Sequence, residues 1–321
     1  MNEKRREKLL TLYFDLADTE HYYKSPDEYT DYLSDIYTRF CVARERPEQI
    51  RTWMTFLHGL SPNRLLYLGI MRSLEQRDWS LLNDALAFTS VTEQLNISDS
   101  GYDHCIYGWN LLPLLLSANR WENIPKIFPR ENGLSVNGHR VCKAVTNLVM
   151  YLYYREEAWK EAVQDEGRHI LSIKETVESK AVVSCLLHLT DENFEGFSAS
   201  LSDVCKGRKR SHDFGESKFT REFSFFALGL LNLCHYLFPD SLDRVALPAD
   251  ENFLMDLHLY RKQNRFASGA LPAFQPPLEL VNDILRTKLP VMHLCGSGKK
   301  QLTDVSRYRE DFVNAVLEGR K

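Results

Sequence analysis

The sequence predicts an all-α fold of stacked antiparallel helix pairs with an irregular C-terminal cap. Three observations predict it. Apolar residues recur at the helical period along most of the chain. Glycine is scarce, at 15 of 321 residues, where the frequent tight turns of a β-sandwich or barrel would need more. And one local pattern (apolar helix, short polar turn, aromatic, second amphipathic helix) returns four times.

The periodicity gives the elements in order. Tyr29, Tyr32, Leu33, Ile36, Tyr37 and Phe40 fall at i, i+3, i+4, i+7, i+8 and i+11, so one face of a helix carries an apolar stripe. Val145, Leu148, Val149, Leu152 and Tyr153 repeat it, as do Ala181, Val182, Cys185, Leu186 and Leu189, and Phe226, Leu230, Leu233, Cys234 and Leu237. A further helix is expected from Asp304 to Leu317. Only R-V-A-L-P at 244–248 and P-V-M-H-L at 290–294 read as strands, and both are short.

The recurrent pattern sets the architecture. L-Y-L-G-I-M-R-S-L leads through E-Q-R-D to Trp79, L-L-P-L-L-L through S-A-N-R to Trp121, V-M-Y-L-Y-Y through R-E-E-A to Trp159, and C-L-L-H-L through T-D-E-N to Phe194. The aromatics lie 42, 38 and 35 residues apart, the length of one helix–turn–helix unit in tetratricopeptide or HEAT-like repeats. The polar turns E-Q-R-D, S-A-N-R and T-D-E-N offer Asp, Asn or Ser to cap the second helix. Each pair leaves an apolar face that the next must cover. The chain therefore reads as one helical domain over 1–321, with a repeat-like core at about 60–240 and a proline-broken region at about 239–321. F-Q-P-P at 274–277 cannot continue a helix.

Composition narrows the function. A hydrophobic share of 44% and a charged share of 26% are those of a globular protein, and a net charge of −4 supplies no cationic field for a nucleic-acid backbone. No run of 18 apolar residues occurs, and Asp15 and Asp18 interrupt the apolar start, so a cytoplasmic location away from membranes is expected. Asn96-Ile97-Ser98 then matches a glycosylation sequon by chance. The seven cysteines are odd in number and mostly embedded in apolar runs, which suits buried thiols and not a disulfide framework.

Candidate chemistry is thin. L-C-G-S-G-K-K-Q at 294–301 resembles a phosphate loop, but His293 stands where the first glycine is needed and Lys300 where Ser or Thr is needed. His139/Cys142 and Cys185/His188 each share a helix face, yet the pairs lie 43 residues apart and no C-x-x-C occurs, so no metal is expected. No G-x-S-x-G, H-E-x-x-H or H-x-E with P-C-x-x-C motif is present. Neither catalysis nor a cofactor is expected. Lys206-Gly207-Arg208-Lys209-Arg210 is read as a basic loop after a helix over 194–205.

What remains is surface. Stacked helix pairs form grooves that bind proteins. Acidic and aromatic residues in turn-rich segments are the candidates: Asp99, Tyr102, Asp103, Tyr107 and Trp109, then Glu156 and Glu157, then Asp191 and Glu192. Aromatics with acids suit a basic protein partner.

The stretches L-L-P-L-L-L-S-A-N-R-W (111–121), A-V-V-S-C-L-L-H-L-T-D-E-N-F-E-G-F-S-A-S-L (181–201) and F-F-A-L-G-L-L-N-L-C (225–234), with P-A-F-Q-P-P-L-E-L (272–280), resemble the immunity protein 49 family. Those are helical bacterial proteins of polymorphic toxin systems. The likeness covers about residues 60–290. It implies a protein that neutralises a cognate toxin by binding, a basic toxin such as a nuclease being one form, and it carries over no site residues. A helical-repeat adaptor that binds a peptide or protein in regulation is the alternative. Homo-oligomerisation stays open in either case.

Overall fold

The computed structural model describes residues 1–57, 59, 62–98, 101–210 and 218–319. Among them the fold is all-α, with sixteen α-helices and two strands of two residues each. None of these helices is long and apolar enough to cross a membrane. The chain runs through α1 (Glu3–Ala17), α2 (Pro26–Ile36), α3 (Arg46–Phe56), α4 (Pro62–Gln76) and α5 (Ser80–Leu95). Then come α6 (Tyr107–Asn110), α7 (Leu112–Ser117), α8 (Ile124–Ile127), α9 (Arg140–Tyr154), α10 (Lys160–Ser172), α11 (Val177–Thr190), α12 (Phe194–Lys209) and α13 (Phe225–Leu237). The end holds α14 (Met255–Gln263), α15 (Glu279–Arg286), β1 (Leu294–Cys295), β2 (Leu302–Thr303) and α16 (Val305–Glu318). Backbone contacts divide the chain into two compact units. The first comprises Met1–Ser98, Leu259–Val291 and Val305–Lys321, and the second Asp99–His258 and Met292–Asp304.

In the first unit the caps are local. Asn2 Oδ1 accepts from Arg5 N at 2.9 Å, and Ser25 caps α2 with Pro26 in its first turn. Pro there has no N–H to leave unsatisfied. The α4–α5 hairpin is the centre. Gly69 permits its close approach, because a Cβ at that position would overlap the Ala85 methyl. Helix α1 packs on α4, while α3 meets α5, α15 and α16. Long-range hydrogen bonds pin the aromatics: Tyr308 Oη donates to Gln94 O at 3.1 Å and Tyr29 Oη to Leu57 O at 2.5 Å. Trp53, Leu33, Ile50 and Phe312 are fully buried in this core.

The second unit is organised by hairpins. Helix α11 pairs with α12, α9 with α10, and α13 lies beside α7 and α12. Thr176, Asn193 and Ser224 cap α11, α12 and α13 through their side-chain oxygens. The recurrence read in sequence returns here as backbone geometry. Asn119 (φ 56°) and Glu192 (φ 52°) each adopt the left-handed conformation two residues before Trp121 and Phe194, and Arg155 (φ 54°) does so four residues before Trp159. In the first unit Arg77 (φ 55°) takes the same position before Trp79. A left-handed residue is the usual way to stop a helix and reverse the chain. The cost is about 1–2 kcal/mol for Arg77, Arg155 and Glu192, and smaller for Asn119, because asparagine visits this region readily.

Several expectations change. The helix after Trp121 is only the single turn of α8, since Pro129 follows at once. Residues 244–248 form no strand: Ala246 N donates to Ser198 Oγ at 3.0 Å instead of to a ladder. From 290–294 only Leu294 lies in a strand, in a short hairpin in which it pairs with Thr303. The Gly-Ser-Gly-Lys-Lys stretch is the exposed turn of that hairpin, with Gly296 (φ 79°) and Gly298 (φ 52°) both left-handed. Its glycines serve the turn. The basic run is not a loop. Lys206, Arg208 and Lys209 occupy the last turn of α12, where they oppose its dipole and meet Asp203 (2.9 Å), Glu178 (3.7 Å) and Glu251 (3.8 Å).

The α11–α12 contact can be tested at Gly207. A Cβ there would lie 2.5 Å from Glu178 N and 2.6 Å from Glu178 Cα, both rigid backbone. Gly207→Ala is expected to destabilise the protein by about 1–3 kcal/mol in urea unfolding. An unchanged midpoint would contradict this packing.

Candidate functional site

The repeated turns of the second unit bring their aromatics together. At the C-terminal end of α9, Tyr153 and Tyr154 point in different directions, their rings 5.1 Å apart and nearly perpendicular. Tyr153 lies parallel to Tyr236 from the end of α13, at 6.1 Å. Tyr236 in turn stacks on Trp121, from the α7–α8 turn, at 4.5 Å and 15°. On the other side Tyr154 meets Trp159 edge-on at 6.2 Å. Five rings from three turns thus form one ladder.

A second row runs alongside. The Arg155 guanidinium sits 5.0 Å from the Phe238 ring, Phe238 meets Phe194 edge-on at 5.5 Å, and Arg244 lies 4.4 Å from Phe194. These are cation–π distances. Tyr236 is 45% exposed, and Trp121, Tyr153, Tyr154, Trp159 and Phe238 are half-buried, while Phe194 is buried beneath. The surface is therefore apolar in its centre and accessible.

Hydrogen bonds hold the rings. Tyr154 Oη donates to Phe128 O at 2.7 Å, and Tyr153 Oη to Trp121 O at 3.4 Å. Burial pushes the Tyr153 hydroxyl up to about 12, helped by Tyr236 and the Glu122 carboxylate. Burial likewise raises Tyr154. Both stay protonated donors at neutral pH. Acids fringe the ladder. Glu122 pairs with Arg120 at 3.1 Å, Glu156 with Arg130, and Glu157, Asp191 and Glu192 are exposed in the turns leading to Trp159 and Phe194. Asp191 Oδ1 also accepts from Gln164 Nε2 at 3.0 Å.

Of the nine residues expected from the sequence to meet a partner, the eight described ones separate into two groups. Glu156, Glu157, Asp191 and Glu192 lie at the aromatic edge. Tyr102, Asp103, Tyr107 and Trp109 do not: they belong to the segment beside the N-terminal half of α9, where Thr146 Oγ1 donates to Cys105 O at 3.3 Å. Fifteen residues of helix, about 22 Å, separate the ends of α9. Asp99 lies outside the described residues. Tyr102 is 39% exposed, Tyr107 is buried, and Trp109 is half-buried against Phe226 at 4.7 Å.

Asp103 is a structural anchor and no surface acid. It is fully buried and accepts from Cys105 N (3.0 Å), Ser135 Oγ (2.7 Å), Val136 N (2.9 Å) and Asn137 N (2.9 Å). Burial acts to raise its pKa, but the hydrogen bonds from Cys105, Ser135 and Asn137 outweigh it and hold the carboxyl below its ordinary value. Beside it His104 is buried, and burial pushes its pKa down to about 4, so it stays neutral.

The cysteines are free thiols, buried at 41, 105, 185, 205 and 234, partly covered at 142 and exposed at 295. Cys142 and Cys185, each paired with a histidine in the sequence, join no cluster of three metal-ligating side chains among the described residues.

The residues missed in the sequence are Tyr153, Tyr154, Arg155, Tyr236, Phe238 and Arg244. A signal existed for three of them: Tyr153, Tyr154 and Arg155 stand at the end of α9, beside one of the recurrent left-handed turns.

Asp103→Ala is expected to cost about 3 kcal/mol in chemical unfolding, because buried donors lose their acceptor. The carboxyl pKa is lower in the folded chain than in the unfolded one, so its stabilisation is full above the unfolded value near 4 and fades as pH falls through the folded one. The wild-type advantage over Asp103→Ala should therefore shrink below about pH 4. An equal gap at pH 7 and pH 2 would contradict the assignment. Compared with protein families, curated proteins and solved structures, the chain has no match.

Proposed function

We propose that this chain is a binding protein of the immunity type, which neutralises a cognate bacterial toxin by contact and without chemistry of its own. The observation that carries the binding role is the Trp121–Tyr236–Tyr153 stack with Arg155 and Arg244 beside it. Tyr, Trp and Arg supply most of the energy at protein interfaces when they form a central patch. These rings are already fixed by stacking and hydrogen bonds, so little conformational freedom is lost on association. The acids at 122, 156, 157, 191 and 192 form a rim that favours encounter with a basic partner. The toxin as partner, and the cytoplasm as the place of action, rest on the family resemblance of 111–121, 181–201 and 225–234.

Co-expression tests the proposal. The product of the gene beside this one should arrest growth when expressed alone. This chain should restore growth and purify with that product as a stoichiometric complex. Trp121→Ala with Tyr236→Ala should weaken that complex at least about 100-fold, near 3 kcal/mol, with the helical signal unchanged. A toxic neighbour that this chain does not neutralise would overturn the immunity role. A complex indifferent to both substitutions would overturn the assigned surface.

A further inference from the structure

The first unit holds a cavity that a protein-binding role does not use. It measures about 350 Å³ and lies among α2, the α4–α5 hairpin and the irregular segment 270–274. Small-ligand sites have this size. One wall is aromatic. The Tyr29, Phe88 and Phe274 rings are mutual neighbours at 5.9 Å (Tyr29–Phe88), 6.3 Å (Phe88–Phe274) and 6.5 Å (Tyr29–Phe274). Leu65, Leu68 and Pro272 add aliphatic surface.

The wall is preformed. Tyr29 is fixed by its hydrogen bond to Leu57 O. Phe274 is fixed through its backbone, its N–H donating to Asn282 Oδ1 at 2.7 Å and its carbonyl accepting from Asn282 Nδ2 at 2.8 Å. The chain leading into this segment is tied to α5 twice, by Ala270 N to Asp84 Oδ1 at 2.8 Å and by Asn83 Nδ2 to Ala267 O at 3.2 Å. Such ties keep the segment from collapsing into the space it covers.

Two opposite charges line the same cavity, Arg72 from α4 and Asp84 from α5, and both are half-buried. They form no ion pair with each other. Among the described residues Arg72 has no hydrogen-bonding or ionic partner at all. Burial raises the Asp84 pKa, partly offset by the Ala270 N–H, so its carboxylate is short of solvation. A partly desolvated cation and anion beside an apolar wall each gain from a ligand that brings the missing charge.

We infer that this cavity binds a free aromatic α-amino acid, its ring against Tyr29, Phe88 and Phe274, its carboxylate on Arg72 and its ammonium on Asp84. The zwitterion matches both charges at once. An aromatic acid or an aromatic amine would satisfy one and leave the other unmet. This assignment is independent of the aromatic edge and of any toxin.

Titration calorimetry of the full chain provides the test, with L-phenylalanine and L-tryptophan as probes and 3-phenylpropionate and phenethylamine as one-charge controls. At least one amino acid should bind, and each control should bind about tenfold more weakly or worse. Arg72→Gln should erase the preference for L-phenylalanine over phenethylamine. Asp84→Asn, which keeps an acceptor for Ala270, should erase the preference over 3-phenylpropionate. Leu68→Phe, which fills the cavity, should abolish binding while the thermal midpoint holds or rises. Absence of binding at millimolar amino acid, binding no tighter than the controls, or binding indifferent to Arg72→Gln would each overturn the inference.

Discussion

The structure depends on one constraint: a helix pair buries one face and leaves another apolar face open. Helix α9 shows it plainly. Val141, Ala144, Val145, Leu148, Val149, Met150, Tyr151 and Leu152 are all buried, more than one partner helix covers. The helix therefore takes α10 on one side and α11 on another. Once helices stack this way, their reversals fall at the same edge. The left-handed Asn119, Arg155 and Glu192 make those reversals, and the aromatic after each is carried to that edge. Core packing thus positions the surface chemistry.

The aromatics at this edge have two roles that follow from their size. Their apolar faces extend the core outward at the ends of α9 and α13, and their polar tips cap backbone carbonyls such as Phe128 O. Rings held in that manner present area at small entropic cost, which is what a tight interface requires. Arg155 is informative here. Its backbone stops α9, and its guanidinium stacks on Phe238, so one residue serves both the turn and the patch.

Much of the fold was legible in the sequence. The periodicities at 29–40, 145–153, 181–189 and 226–237 all lie on helices, because a 3.6-residue apolar stripe is a local property. The recurrent turn was legible too, since its residues are adjacent. Non-local matters were not. Asp103 reads as a surface acid in an acidic loop, but its donors Ser135, Val136 and Asn137 come from more than thirty residues away and turn it inward. Tyr153 reads as the last residue of a core stripe, and only its meeting with Tyr236, 83 residues on, places it at an edge. The position of the acids at 156–157 and 191–192 was legible because they belong to the turns themselves. The proline-broken end reads as one irregular piece, yet its segments contribute to both units.

The central claim is that separate hairpins of the second unit stack so that their turn aromatics touch. Trp121 and Tyr236 lie 115 residues apart in sequence, and nothing local brings them together. A double-mutant cycle on folding stability, with Trp121→Ala, Tyr236→Ala and both, measures their contact directly. The stacked geometry predicts a favourable coupling of about 0.5–1.5 kcal/mol. Strictly additive effects would mean the two rings do not meet, and would contradict the account.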